Sequence, residues 1–292
     1  LIKLKESYPE DFEKVYPVLL RGFKLKNFNK KIFRQKYNAF RRLFENHWNS
    51  QNRLIGYLLE DEGETVGFMA YIFSQRVING QNHKFCNFAA WAVNEEYRSH
   101  SLLLTEPINK LKSEKYTLTN LSPSISAYKV FAKLLKFRLL DDKQTIVPFM
   151  PCYNFTKNVS FSFDGDIELS KLNMQEKEEL DNAQKYRVNF LYIQSGSQSC
   201  LIIFNKMYEK RYIPLSSILY ISNPELFLRS ISLLRCVINF RIKTAALLID
   251  SRLINDQKIS LSITRKIPNP KLCWSDELDN PVIDNLYSEA LF

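Results

Sequence analysis

Glycine is scarce in this chain, with 7 residues in 292. That excludes the glycine turns on which dinucleotide-binding domains are built. Histidine is scarcer, with residues at 47, 83 and 100 only. No hydrolase triad can be assembled from them, and no cluster has metal-ligand spacing. The five cysteines, at 86, 152, 200, 236 and 273, are odd in number and form no CxxC pair. Free thiols in a reducing compartment explain them; a disulfide framework does not. No signal peptide is visible and no apolar run reaches the ~18 residues a membrane helix needs, so a cytoplasmic protein without a membrane span is expected.

Aromatic residues are plentiful, with 21 Phe and 15 Tyr. Together with 45% hydrophobic and 25% charged residues they indicate a globular chain, long enough for one large or two modest domains. The net charge of +10 is uneven. Residues 1–150 carry 24 Lys+Arg against 15 Asp+Glu, and residues 151–292 carry 17 against 16. Between Arg21 and Arg53 ten basic residues face one acid, Glu45. Such a field attracts anions, although a solvated helix face explains it equally well. No helix-turn-helix, zinc or RNP-like pattern is present, so nucleic acid is not an expected partner.

The first half reads as alternating elements. "LIKLK" alternates as a short strand, and "YPEDFEKVYPVLLRGF" is a helix that Pro17 should kink or break. "NKKIFRQKYNAFRRLFEN" is the strongest amphipathic helix: Ile32, Phe33, Tyr37, Phe40 and Phe44 form its inward stripe, flanked by Lys30, Lys31, Arg34, Arg41 and Arg42. Two strands follow, joined by an acidic turn ending at Gly63, the second running from Thr65 to about Ile78. Next come the strand "KFCNFAAWAV", a helix "SLLLTEPINKLKS" interrupted by Pro107, and the strand "KYTLTNLS". A helix "ISAYKVFAKLLKF" capped by Ser124 and closing strands in "FRLLDDKQTIVPFM" complete this half. A helical crossover between two strands implies parallel neighbours, giving an α/β (α+β) mixed sheet complete by about residue 150. Strict alternation places Asn87 and Trp91 on one face of their strand, and Phe88 and Ala90 on the other. In residues 151–292 the same order returns: a strand at Ile218–Ser222, the helix "ELFLRSISLLRCVINFR", then a strand at Ala245–Ile249. This hints at a degenerate second copy. The helix "KLNMQEKEELDNAQKY" reads as exposed, and the C-terminal end as a short helix.

Three stretches carry a resemblance: "TVGFMAYIFS" (65–74), "AWAVNEEYRSHSLLL" (90–104) and "LSPSISAYKVFAKLLKF" (121–137). In order and spacing they resemble the GNAT superfamily of acyl-CoA-dependent N-acyltransferases over residues 1–150. "VNEEYR" (93–98) is similar to the family's V-x-P-x-Y-R, with Glu95 in place of proline. The resemblance implies a GNAT-like fold, possible in tandem copies, and acetyl-CoA or another acyl-CoA as co-substrate. It places Ala92, Val93 and the turn Arg98, Ser99, His100, Ser101, Leu102 and Leu103 against that co-substrate. The turn's backbone N–H groups and the start of the next helix would grip the pyrophosphate. The Val93 N–H would meet the thioester carbonyl as an oxyanion contact.

The sequence departs from the family at several points. Ser101 and Leu103 stand at the turn's glycine positions, Ala132 at that of the tyrosine general acid, and Lys136 at that of the glycine before Phe137. Tyr128, one turn before Ala132, is the substitute acid if the helix is shifted. Glu95 and Glu96 are candidates to take the proton of an attacking amine, or else form a surface turn. Asn87, Trp91, Arg34 and His47 are candidate contacts for a small-molecule or anionic acceptor; Asn87 serves equally to pin the sheet. His83 reads as structural or exposed. Two functions follow: an acyltransferase acting on an amine by direct attack, or a GNAT-shaped binding or assembly module without catalysis.

Overall fold

The computed structural model describes residues 1–25, 30–45, 53–78, 80–151, 159–163, 172–186, 188–209 and 212–285. The chain forms two compact units. One comprises Leu1–Arg138 with Lys271–Leu278; the other comprises Leu139–Pro270 with residues 279–285.

The first unit opens with β1 (Lys3–Ser7), α1 (Phe12–Gly22) and α2 (Lys30–Glu45). A meander follows, β2 (Gly56–Asp61), β3 (Glu64–Ile78) and β4 (Gln81–Val93), then α3 (Pro107–Ser113), β5 (Thr117–Asn120) and α4 (Ile125–Lys129). Glu62 and Gly63 turn β2 into β3 with φ of 50° and 88°, the paired left-handed residues of a tight hairpin. β1 to β4 pair antiparallel in sequence order, and β5 joins β4 in parallel. On one face Phe68, Ala70 and Ile72 pack under α1 and α2, against Val15, Leu19 and Phe40. On the other, Met69, Tyr71 and Phe88 pack against Leu104, Ile108 and Phe131. This is the period-two alternation of a sheet covered on both sides.

Pro17 does not break α1. The ring and the carbonyl it frees lie on the exposed side of the helix, where water can serve the lost bond. Nor is this sheet complete by residue 150. The strand beside β5 is Lys271–Trp274, the end of β12 (Ile263–Trp274), running antiparallel. Local patterning shows that a strand exists but not which distant strand it will join.

The second unit contains β6 (Arg138–Pro148), β7 (Ser160–Phe163), α5 (Met174–Tyr186), β8 (Asn189–Ser195) and β9 (Gln198–Glu209). It continues with β10 (Ile213–Ile221), α6 (Pro224–Arg229), α7 (Ile231–Ile242) and β11 (Ala246–Asp250). Its sheet runs β7-β8-β9-β10-β11-β6, flanked by the first residues of β12. β10 and β11 pair in parallel across α6 and α7, as β4 and β5 do across their own crossover. The helix read as exposed, α5, buries two acids, Glu176 and Glu179. Glu176 closes a reciprocal cap with Asn173 and accepts from Ser222 Oγ at 2.7 Å.

The cysteines at 86, 200, 236 and 273 are free thiols, three of them buried. Cys152 and the C-terminal end after residue 285 lie outside the described residues. No described helix is long and apolar enough to cross a membrane.

Candidate active site

β4 and β5 pair over three residues only, Phe85–Asn87 with Thr117–Thr119. Beyond them β4 runs on for six residues while β5 ends at Asn120, so the strands part. At the parting point β4 bulges. The pairing with β3 slips between Phe68 and Ala70, and Ala90 takes a left-handed φ of 50°. The bulge changes which way each residue faces. Phe88, Trp91 and Val93 all pack on the α3–α4 side, while Ala89, Ala90 and Ala92 face α1 and α2. The alternation expected from sequence therefore fails here: Trp91 shares a face with Phe88, not with Asn87.

After the bulge Asn94 N–H donates to Val66 O at 2.9 Å. In an antiparallel ladder the preceding N–H, that of Val93, must then point away from β3, toward the side where β5 no longer pairs. The opening holds a cavity of about 290 Å³. β4 contributes Phe88, Ala89, Ala90 and Trp91, and β5 contributes Asn120. The turn and helix after β5 add Ser124, Ala127 and Phe131; α2 adds Lys36 and Phe40, with Phe23 beyond α1. Phe23 and Phe40 stack at 5.3 Å between ring centroids.

The helix after β5 starts as expected, with Ser124 Oγ accepting from Ala127 N–H at 3.2 Å. It then widens into a π-turn over Val130–Leu134 and ends on Lys136 at φ 59°. Phe137 N–H donates to Phe131 O at 2.9 Å, six residues back, which closes the helix end. A π-turn holds one residue more than an α-turn. Counting back from Phe137 through it, the position of the family's tyrosine moves from Ala132 to Phe131, and Phe131 is the residue on the cavity wall. Tyr128 is half-buried against the core on the α3–α4 side and is not a wall residue.

The turn after β4 differs from expectation more sharply. Glu95–Thr105 winds as a 3-10 helix, and the α-helix begins only at Pro107. Residues 101–105 are therefore not α-helical, and no α-helix N-terminus stands beside Arg98. The winding directs N–H groups to carbonyls three residues back, as in Tyr97 N–H to Asn94 O at 3.0 Å and Glu106 N–H to Leu103 O at 3.1 Å. Leu103 is half-buried and packs against the core. Tyr71 Oη donates to Leu104 O at 2.6 Å, and Tyr97 Oη to Asp61 at 3.1 Å, fixing the segment to β3 and β2. Burial raises the Tyr71 phenol well above its ordinary pKa, and the Asp61 carboxylate raises that of Tyr97. Ser101 is half-buried; Ser99, His100 and Leu102 are exposed, with Ser99 Oγ 3.1 Å from His100 Nδ1. Arg98 is exposed and ion-pairs with Glu95 at 3.2 Å, and Glu96 is also exposed.

Of the candidate acceptor contacts, Trp91 alone lines the cavity. Asn87 is buried and accepts from Thr119 Oγ1 at 2.9 Å, which pins β4 to β5. Arg34 is exposed and off the wall, and His47 lies outside the described residues. His83 is buried and sits 3.5 Å from Glu277. Sequence reasoning missed Lys36 and Asn120. Lys36 had a readable signal: it lies one turn before Phe40, on the inward side of α2.

The second unit repeats this geometry with a different outcome. β10 and β11 pair over Leu215–Ser217 and Ala246–Leu248, and β10 bulges just beyond, between Ile218 and Tyr220. There Asn285 N–H donates to Leu219 O at 3.2 Å. The Asn285 side chain bonds Asp250 and Arg252, and Arg252 also donates to Ile283 O. The chain's own residues 283–285 thus lie against the β10 bulge and the end of β11.

No family model matches the chain, and no curated protein sequence does. Solved structures do resemble it. One is a GCN5-related N-acetyltransferase from Anabaena variabilis (TM-score 0.58, 12% identity, 94% of this chain and 72% of that one). Another is a conserved protein from Enterococcus faecalis V583 named "Probable N-Acyltransferase" (TM-score 0.57, 11% identity, 96% and 74%). A third is a GCN5-related N-acetyltransferase from Kribbella flavida (TM-score 0.54, 10% identity, 94% and 70%). The mixed sheet with flanking helices is the GNAT-like fold of these structures.

Proposed function

We propose that the first unit transfers an acyl group, acetyl in the simplest case, from acyl-CoA to the amine of a small anionic acceptor. The observation that carries this reading is the opening between β4 and β5, with a cavity beside Trp91 and the Val93 N–H turned away from β3. Acyl-CoA fits that edge through its thioester end. The free amine attacks the thioester carbonyl directly, and the oxygen that gains charge is met by the Val93 N–H. A donor in that role contributes about 3 kcal/mol to the barrier. Collapse of the adduct breaks the C–S bond and releases the CoA thiolate, which takes a proton from solvent. Glu95, exposed and paired with Arg98, is the candidate to take the amine proton once that contact opens. The pyrophosphate is held by the side chains of Arg98, His100 and Ser101, because the 3-10 winding engages the backbone that glycine turns leave free. The second unit is a degenerate repeat, with residues 283–285 against its own strand edge.

Titration of acetyl-CoA, longer acyl-CoAs and CoA by calorimetry tests this reading. Binding is expected, and Arg98→Ala weakens it. No heat with any of them at millimolar concentration sinks the proposal. Tyr128→Phe is expected to leave turnover unchanged, since that residue is off the wall.

A second reading, a GNAT-shaped binding module without transfer, draws on Phe131, which puts no hydroxyl where a thiolate would need a proton. It predicts CoA binding without thiol release from acetyl-CoA.

A further inference from the structure

The wall of the cavity changes character with depth. Phe23, 40% exposed, stands toward solvent with the exposed Ser122 and Ser124. Inside, Phe40, Met69, Phe88 and Phe131 are buried. Among the described residues no Asp, Glu or His lines the cavity, and Lys36, half-buried on its wall, already has a partner. An amine reaches a protein as an ammonium ion, and a wall of rings without a carboxylate gives that charge nothing in place of water. The acceptor's amine therefore gains nothing from the depth of the cavity. An alkyl chain gains there with every methylene.

We propose that the cavity holds the acyl chain of the co-substrate, and that this chain is of medium length and apolar, longer than acetyl. The proposal rests on the acyltransferase reading above and names its acyl group. The volume of about 290 Å³ is roughly ten times the ~30 Å³ that a water-sized group such as a methyl takes up in a liquid, which suits a chain of roughly six to eight carbons. Position agrees with size. Ala89, Ala90 and Trp91 form one side of the cavity and directly precede Ala92 and Val93, so a chain attached to the carbonyl that meets the Val93 N–H enters beside them. Phe131 stands edge-on to Trp91 at 6.0 Å between ring centroids and lies 5.2 Å from Phe88. Rings braced in this way keep the wall from closing on a short chain.

Calorimetric titration of CoA, acetyl-CoA, butyryl-CoA, hexanoyl-CoA and octanoyl-CoA on the full chain tests the proposal without any turnover. A methylene moved from water into an apolar wall tightens binding about fourfold. After the cost of ordering the chain, octanoyl-CoA is expected to bind at least ~100-fold more tightly than acetyl-CoA. Ala127→Leu, which fills part of the wall, should move the tightest binder to a shorter chain. The series on the unaltered protein decides the matter if that variant does not fold. Affinities that stay flat or fall with chain length while CoA binds overturn this proposal alone, and so does an unmoved optimum in folded Ala127→Leu. Failure of CoA and of every acyl-CoA to bind at millimolar concentration overturns the acyltransferase reading with it.

Discussion

Ala90 sits at φ 50° in the middle of a strand, a conformation that costs an L-residue with a Cβ roughly 1 kcal/mol. The strain produces the bulge, and the bulge turns the Val93 N–H into the opening. Ala90→Gly keeps the bulge and removes the clash, so urea unfolding should show a gain of about 0.5–1 kcal/mol. Ala90→Val adds β-branching to the same φ and should lose about 2 kcal/mol or more. Equal effects of the two would show that the left-handed turn is not what shapes the strand. Lys136 poses the same question at a helix end: at φ 59° it stands where the resemblance expects glycine. Lys136→Gly should stabilise by about 1 kcal/mol, read as a higher urea midpoint at unchanged slope.

At the scale of elements, α1 lies close to β4 because Gly22 has no side chain. A Cβ built there would sit 2.6 Å from the Cβ of Ala92, far inside contact distance. Gly22→Ala should therefore cost about 1–3 kcal/mol by forcing the helix off the strand. Ala92→Gly in the same chain should recover most of the loss, since it removes the atom that is struck. A double-mutant cycle without coupling would place the strain elsewhere. Much of this architecture was legible in the sequence. The hairpin at Glu62–Gly63, the amphipathic α2, the Ser124 cap and the strand–crossover–strand order follow from short-range periodicity and turn chemistry. The facing of Trp91 was not legible, because one inserted residue at Ala90 reverses the alternation on which the reading relied. Phe131 was hidden for the same reason, by the extra residue of the π-turn. The strand beside β5 comes from residues 271–274, and nothing local in "KLCW" names its partner. The parting of the strands beside Trp91 was expected from the family resemblance. Lys36 and Asn120 were missed because a lysine on a helix and an asparagine at a strand end are ordinary on any surface.

Over the whole molecule, the second parallel strand pair, β10 with β11, raises the question of how many sites the chain carries. In the second unit a buried polar cluster supports the segment that lies against the β10 bulge. Asp141 accepts from the Arg252 N–H at 3.1 Å, Arg252 donates to Ile283 and Asn285, and Asn285 donates to Asp250. Burial raises the Asp141 carboxyl above its usual pKa, outweighing the Arg252 guanidinium 3.7 Å away. A carboxyl raised in the folded state favours folding most when protonated. Its contribution is full below the ordinary carboxylate range and is lost as pH rises through the raised value. Asp141→Asn should therefore flatten the fall in stability on going from acid toward neutral pH, measured by urea unfolding across that range. An unchanged pH slope would assign the effect to other groups. With this cluster intact, Asn285 holds the bulge carbonyl of Leu219, and residues 283–285 stand against that edge. Calorimetric titration with acetyl-CoA should then saturate at one ligand per chain. Ala89→Phe, which adds bulk to the wall of the first opening, should abolish binding rather than halve it. A stoichiometry of two, or residual binding at half capacity in Ala89→Phe, would show that residues 283–285 yield their place to a ligand and that both units carry a site.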